Sequence, residues 1–86
     1  MNRVLFDLDD NHSLLTDGQQ WMVARKSNKD KYTNIAYIAS NKLIIHRVIR
    51  EKNIDLSEDG ERQLDELPLK FRDFIEAEGG KVDDPD

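Results

Sequence analysis

The apolar period of this chain changes once, near residue 40, from two to 3.6. Up to Ile38 apolar and polar residues alternate; from Ile44 onward apolar residues recur at helical spacing. A chain that places every strand before its first helix cannot join parallel strands through crossover helices. The fold class is therefore α+β: a three- to four-stranded antiparallel meander sheet followed by two or three helices packed on one face.

Val4, Phe6 and Leu8 alternate with Leu5, Asp7 and Asp9, the pattern of a strand with unequal faces. Asp9, Asp10, Asn11 and His12 supply turn chemistry, because Asx side chains bond their own backbone. A second strand follows over Ser13–Thr16. Asp17-Gly18 then reads as a two-residue hairpin turn, glycine supplying the positive φ. Trp21, Val23 and Arg25 alternate with Met22 and Ala24 in a third strand. The fourth covers Tyr32–Ile38, with Thr33, Ile35 and Tyr37 on one face and Ala36 and Ile38 on the other.

Ser40 or Asn41 is placed to cap the first helix. Its apolar stripe is Ile44, Ile45, Val48 and Ile49, with Lys52 joining it at the end and Asn53 ending it. Ser57 is a second cap, followed by the first-turn acids Glu58, Asp59 and Glu61. Gly60 weakens that helix by about 1 kcal/mol relative to alanine. Pro68 either ends it or opens the next, in which Leu67, Phe71, Phe74 and Ile75 form a stripe reaching about Glu78. The expected core is Val4, Phe6, Leu14, Trp21, Val23, Ile35, Ile44, Ile45, Val48, Ile49, Leu64, Leu67, Phe71, Phe74 and Ile75. Eighty-six residues suffice for one small domain, here 1–78, with 79–86 expected to be an acidic, disordered tail.

Three strings invite a chemical role. Val4-Leu5-Phe6-Asp7-Leu8-Asp9-Asp10-Asn11 resembles the first motif of haloacid-dehalogenase-type phosphatases, whose strand ends in Asp-x-Asp-Gly-Thr. That resemblance implies a phosphoryl nucleophile at Asp7, but Asp10-Asn11 replaces Gly-Thr and the required βαβ alternation is missing. Asp7, Asp9 and Asn11 also match the first ligands of a calcium loop, yet His12 stands where glycine belongs and Gly18 where the bidentate glutamate belongs. His12 and His46 lack partners at metal-ligand spacing. With no cysteine, thiolate zinc and disulfide frameworks are excluded. The chain is expected to be non-enzymatic, without cofactor or metal.

Charge is the remaining signal. Residues 1–52 carry nine basic and six acidic groups, a net of +3; residues 53–86 carry four and twelve, a net of −8. The basic extreme comprises Arg25, Lys26, Lys29, Lys31, Lys42, Arg47, Arg50 and Lys52. The acidic half opens with Asp55, Glu58, Asp59 and Glu61. The two halves either neutralise each other internally or form separate contact surfaces. Lys42, His46, Arg47 and Arg50 on the first helix, with Arg25, Lys26 and Lys29 near the hairpin loop, would present cations to phosphates. Tyr32 and Tyr37 would stack bases if exposed. Asp55, Glu58, Asp59 and Glu61 would dock onto a basic partner.

The segments Gln20-Trp21-Met22-Val23-Ala24-Arg25, Tyr37-Ile38-Ala39-Ser40-Asn41-Lys42 and Leu67-Pro68-Leu69-Lys70-Phe71 sit in an outline that resembles small accessory proteins of phages and prophages. That resemblance implies a cytoplasmic, non-enzymatic protein that binds something in host or phage. The leading expectation is a protein–protein interaction module, a modulator or inhibitor of a host or phage machine. The alternative is a nucleic-acid-binding protein. A third is a homodimer through a sheet edge or the Leu43/Trp21 surface. The longest apolar run is too short to span a membrane.

Overall fold

The computed structural model describes residues 2–27 and 31–78. Lys29 and the expected tail 79–86 lie outside the described residues. Four strands come first: β1 Arg3–Asp7, β2 His12–Thr16, β3 Trp21–Lys26 and β4 Tyr32–Ile38. Three helices follow: α1 Lys42–Glu51, α2 Glu58–Glu66 and α3 Phe71–Ala77. The sheet is an open antiparallel meander in the order β1-β2-β3-β4, so the expected α+β class holds.

The connection between β2 and β3 is longer than a two-residue hairpin. It spans 17–20, and the Asp17 carboxylate accepts the backbone N–H groups of Gln19 (2.8 Å) and Gln20 (3.1 Å). Gly18 takes the left-handed φ of 92° that the turn demands. The aspartate thus closes an Asx turn before glycine can form a tight one.

Both edge strands carry a β-bulge, and the bulges reset which residues face the helices. On β1, Val4 pairs with Leu15 and Phe6 with Leu14, leaving Leu5 as the extra residue. On β4, Ala36 pairs with Val23 and Asn34 with Ala24, leaving Ile35 as the extra one. Each bulge breaks the alternation. Val4 therefore leaves the core expected of it and stands 41% exposed on the outer face, whereas Phe6 points inward. Tyr37 likewise parts from Ile35: Ile35 packs toward the core and Tyr37 faces outward.

The inner face, with Phe6, Leu8, Leu14, Trp21, Val23 and Ile38, packs against Ile45, Val48, Ile54, Leu64, Phe71, Phe74 and Ile75. Trp21 is its centre, meeting Phe71 edge-on at 5.1 Å and Phe74 at 5.6 Å between ring centroids. Ile35, Ile44, Ile49 and Leu67 are only partly buried at its margin. Asn41 caps α1 by accepting from the N–H of Leu43 at 2.8 Å, and Ser57 caps α2 by accepting from the N–H of Gly60 at 2.9 Å. Asn53, with φ of 55°, turns the chain out of α1. Pro68 follows the end of α2 and precedes α3, which begins at Phe71.

Candidate interaction surfaces

α1 packs against β4 and α2 against β1, the two opposite edges of the sheet. The exposed cations of α1 and the acidic face of α2 therefore sit over different edge strands, while Lys26 on β3 shares a pocket with Asp59 of α2.

On the basic flank, α1 buries Ile45 and Val48 and leaves Leu43, Arg47 and Arg50 exposed, with His46 half-buried. Among the described residues, no carboxylate lies within 4.0 Å of Arg25, Lys26, Lys31, Arg47 or Arg50. Lys42 is different. Its ammonium donates to the carbonyl of Leu67 at 2.7 Å and to that of Asp65 at 3.5 Å. Those carbonyls belong to the last turn of α2, where the helix leaves acceptors unfilled. Lys42 thus joins two helices and is withdrawn from the basic set. Lys52, expected within the apolar stripe, is exposed.

On the acidic flank, Glu58, Glu61 and Asp65 follow the i, i+3, i+7 spacing of one helix face and line a shallow concavity with Arg62 and Glu66. Arg62 pairs with Asp59 and, at 3.9 Å, with Glu66. The guanidinium beside Asp59 holds that carboxyl below its ordinary range. Arg62 therefore offsets Asp59 and Glu66, and leaves Glu58, Glu61 and Asp65 without a cation among the described residues. The single ion pair between the two halves among the described residues is Arg3 with Glu78. Internal neutralisation is not how this fold disposes of its charge.

The turn between β1 and β2 meets the link between α1 and α2. Asp9 Oδ1 accepts from Asn11 N–H at 2.7 Å and lies 2.9 Å from His12 Nδ1, while Oδ2 accepts from Asp55 N–H at 3.1 Å. Burial of the Asp9 carboxyl opposes ionisation, but these hydrogen bonds outweigh it and hold its pKa below the ordinary value. Asp7 accepts from Ser13 Oγ at 2.7 Å. The motif that resembled a phosphatase strand is thus occupied in tying a turn. Among the described residues, no group of three or more His, Asp or Glu side chains is arranged to hold a metal ion.

The outer sheet face went unrecognised as a surface in the sequence. In register across all four strands lie Val4, Leu15, Met22 and Tyr37, then Asp7, Ser13, Ala24 and Asn34, then Lys26 and Tyr32. Leu15, Met22 and Ala24 form a second apolar cluster that includes no helix residue. Tyr37 is 62% exposed and Tyr32 36%. Their hydrophobic flanks hid this face, because alternation counts assign such a face to solvent.

Fold and surfaces together define a charge-polarised two-layer α+β domain. No known protein family, curated protein or solved structure is matched by this chain. Among the described residues no helix is long and apolar enough to cross a membrane.

Proposed function

We propose that this chain is a non-enzymatic protein-interaction module that engages a basic surface of a cytoplasmic partner through the α2 flank. The observation supporting this reading is that Glu58, Glu61 and Asp65 have no cation partner among the described residues although nine basic residues precede them in the chain. Unpaired like charges on a rigid helix destabilise the isolated protein slightly and are relieved by an oppositely charged partner. The outline shared with phage accessory proteins is the ground for expecting that partner to be a host or phage machine, with this chain as its modulator.

Affinity capture from a cytoplasmic extract tests this, comparing the wild type with a Glu58→Lys, Glu61→Lys, Asp65→Lys triple variant. A salt-sensitive protein partner should be captured by the wild type and lost by the variant. Capture of nucleic acid alone, or turnover by the purified protein, would overturn the proposal.

A second reading, nucleic-acid binding, is favoured by a separate observation: Arg25, Lys26, Arg47 and Arg50 also lack partners among the described carboxylates. It predicts binding that weakens steeply with salt, read by anisotropy titration. Self-association through a sheet edge has less support. Both edge strands carry bulges, which turn an edge away from pairing, and Trp21 is fully buried, leaving only Leu43 of the surface once expected.

A further inference from the structure

Tyr37 and Tyr32 share one strand and one face, and no helix residue joins the apolar cluster on that face. The bulge at Ile35 is what brings them together: with uninterrupted alternation, residues five apart point to opposite faces. Tyr37 lies in register with Met22 and Leu15, which are only 1% and 2% exposed. Asn34 Nδ2 donates to the Tyr37 hydroxyl at 3.4 Å and contacts Met22 Sδ at 3.5 Å. The ring is thereby held at its hydroxyl end, while most of its surface faces solvent. Exposed tyrosines on a sheet face are a surface onto which planar apolar groups stack at little entropic cost.

The cations are placed to match. Lys26 lies opposite Tyr32 in the register, and Lys31 immediately precedes it. Neither has a carboxylate within 4.0 Å among the described residues. The aspartates that share a pocket with Lys26, namely Asp7, Asp9, Asp10 and Asp59, come from β1, its following turn and α2. A chain laid along β4 keeps its charge on the lysine side of that corner. Their partners on β3, Met22 and Lys26, are four residues apart, so by strand rise the two tyrosines are about 13 Å apart, too far to share one base and suited to two bases of one extended strand.

Alternating planar rings and negative charge on a flexible chain describe single-stranded nucleic acid. We propose that the helix-free sheet face is a stacking platform for single-stranded DNA or RNA, with Tyr37 and Tyr32 under two bases and Lys26 and Lys31 on the phosphates. The proposal rests on the nucleic-acid reading above and moves its centre from α1 to the opposite layer. Duplex is excluded by the same geometry, because paired bases do not offer their faces to a flat sheet.

Fluorescence anisotropy at low salt tests it, using a labelled mixed-sequence oligonucleotide as single-stranded DNA, single-stranded RNA and duplex. The proteins are the wild type, Tyr37→Ala, Tyr37→Phe and an Arg47→Glu, Arg50→Glu double variant, each checked for folding by circular dichroism. The expected result is single-strand binding, at least about tenfold weaker in Tyr37→Ala, with the ring retained and affinity kept in Tyr37→Phe. The slope of log K against log salt should be about −1.4 for two phosphate contacts. The DNA and RNA arms show which strand is preferred. Binding lost in the Arg47, Arg50 variant but unchanged in Tyr37→Ala overturns the platform and leaves nucleic-acid binding on α1 standing. Absence of binding to any oligonucleotide overturns both. Sedimentation showing a dimer that Tyr37→Ala dissolves would give this face to a second copy and overturn the platform as well.

Discussion

Asp9 Oδ2 accepts the backbone N–H of Asp55 at 3.1 Å, across 46 positions of sequence. One carboxylate thereby ties the first turn of the sheet to the link between α1 and α2. Its other oxygen is already engaged by Asn11 N–H and the His12 ring. Ser57 N–H donates to Leu8 O at 2.8 Å beside it. Asp9→Ala removes the acceptor of the Asn11, His12 and Asp55 contacts together and is expected to cost about 1–3 kcal/mol. Neighbouring Asp10, which is exposed, should change stability by less than about 0.5 kcal/mol on the same substitution. Urea denaturation of the two variants checks the contrast.

Asp9 also predicts a pH dependence of known sign. Burial raises its pKa, but the hydrogen bonds from His12, Asn11 and Asp55 lower it further, so the folded value lies below the unfolded one. At Asp17 the same opposition holds, with the Gln19 and Gln20 N–H groups prevailing over burial. A carboxyl depressed in the folded state contributes stability that is complete above its unfolded pKa and is lost as pH falls through the folded value. Stability from these two groups should therefore decline as pH falls through and below the ordinary aspartate range of about 4. Denaturation midpoints over that interval should fall less steeply in Asp9→Ala than in the wild type.

Gly60 reverses the usual effect of alanine in a helix. Alanine is favoured over glycine there by about 1 kcal/mol. A Cβ at Gly60, however, would lie 2.9 Å from Asp7 O, 3.0 Å from Ser57 Oγ and 3.1 Å from Leu8 O. Two of those atoms are backbone of β1 and its turn, which cannot yield without moving the sheet edge. Overpacking of this kind costs about 1–3 kcal/mol. Gly60→Ala is expected to lower the urea midpoint rather than raise it.

Lys42 is predicted to act on stability and not on binding. Lys42→Met keeps the apolar stem and removes the ammonium that fills the Leu67 and Asp65 carbonyls. Part of that site is open to water, so the loss should be about 1 kcal/mol. Affinity for any anionic ligand should stay unchanged, whereas Arg47→Met leaves stability within about 0.5 kcal/mol. Paired denaturation and anisotropy measurements separate the roles of Lys42 and Arg47.

Much of this fold is written in local signals. The change of period, the Asn41 and Ser57 caps and the fourth strand over Tyr32–Ile38 are each readable from a few adjacent residues. What escapes such reading depends on pairing. A bulge is defined only relative to the neighbouring strand, so Leu5 and Ile35 look like ordinary alternating residues. Val4 was thereby placed inside, and Tyr37 was grouped with Ile35. Leu8 and Ile38 end the alternations of the first and fourth strands but were left out of the expected core, and Ile54 lies between elements where no period marks it; all three are buried. The charge patches were legible by sign; that α1 and α2 sit over opposite edge strands required the topology. Lys42 had the right charge for a phosphate contact, and only the packing of α1 beside the end of α2 shows its carbonyl partners.

Trp21 carries the largest buried side chain of the core and an unfilled donor. It is fully buried, and its indole Nε1 has no hydrogen-bond acceptor among the described residues. An orphaned buried N–H costs about 1–3 kcal/mol. Trp21→Phe removes that cost while leaving a void beside Phe71 and Phe74, so the two effects oppose. Trp21→Ala leaves the larger void and should lose about 3–5 kcal/mol, a large part of the roughly 4–13 kcal/mol available to a chain of this size. The expected order of urea midpoints is wild type, then Trp21→Phe within about 2 kcal/mol of it, then Trp21→Ala well below. A phenylalanine variant as unstable as the alanine one would mean that the indole N–H is satisfied in solution and that the ring is held by more than packing.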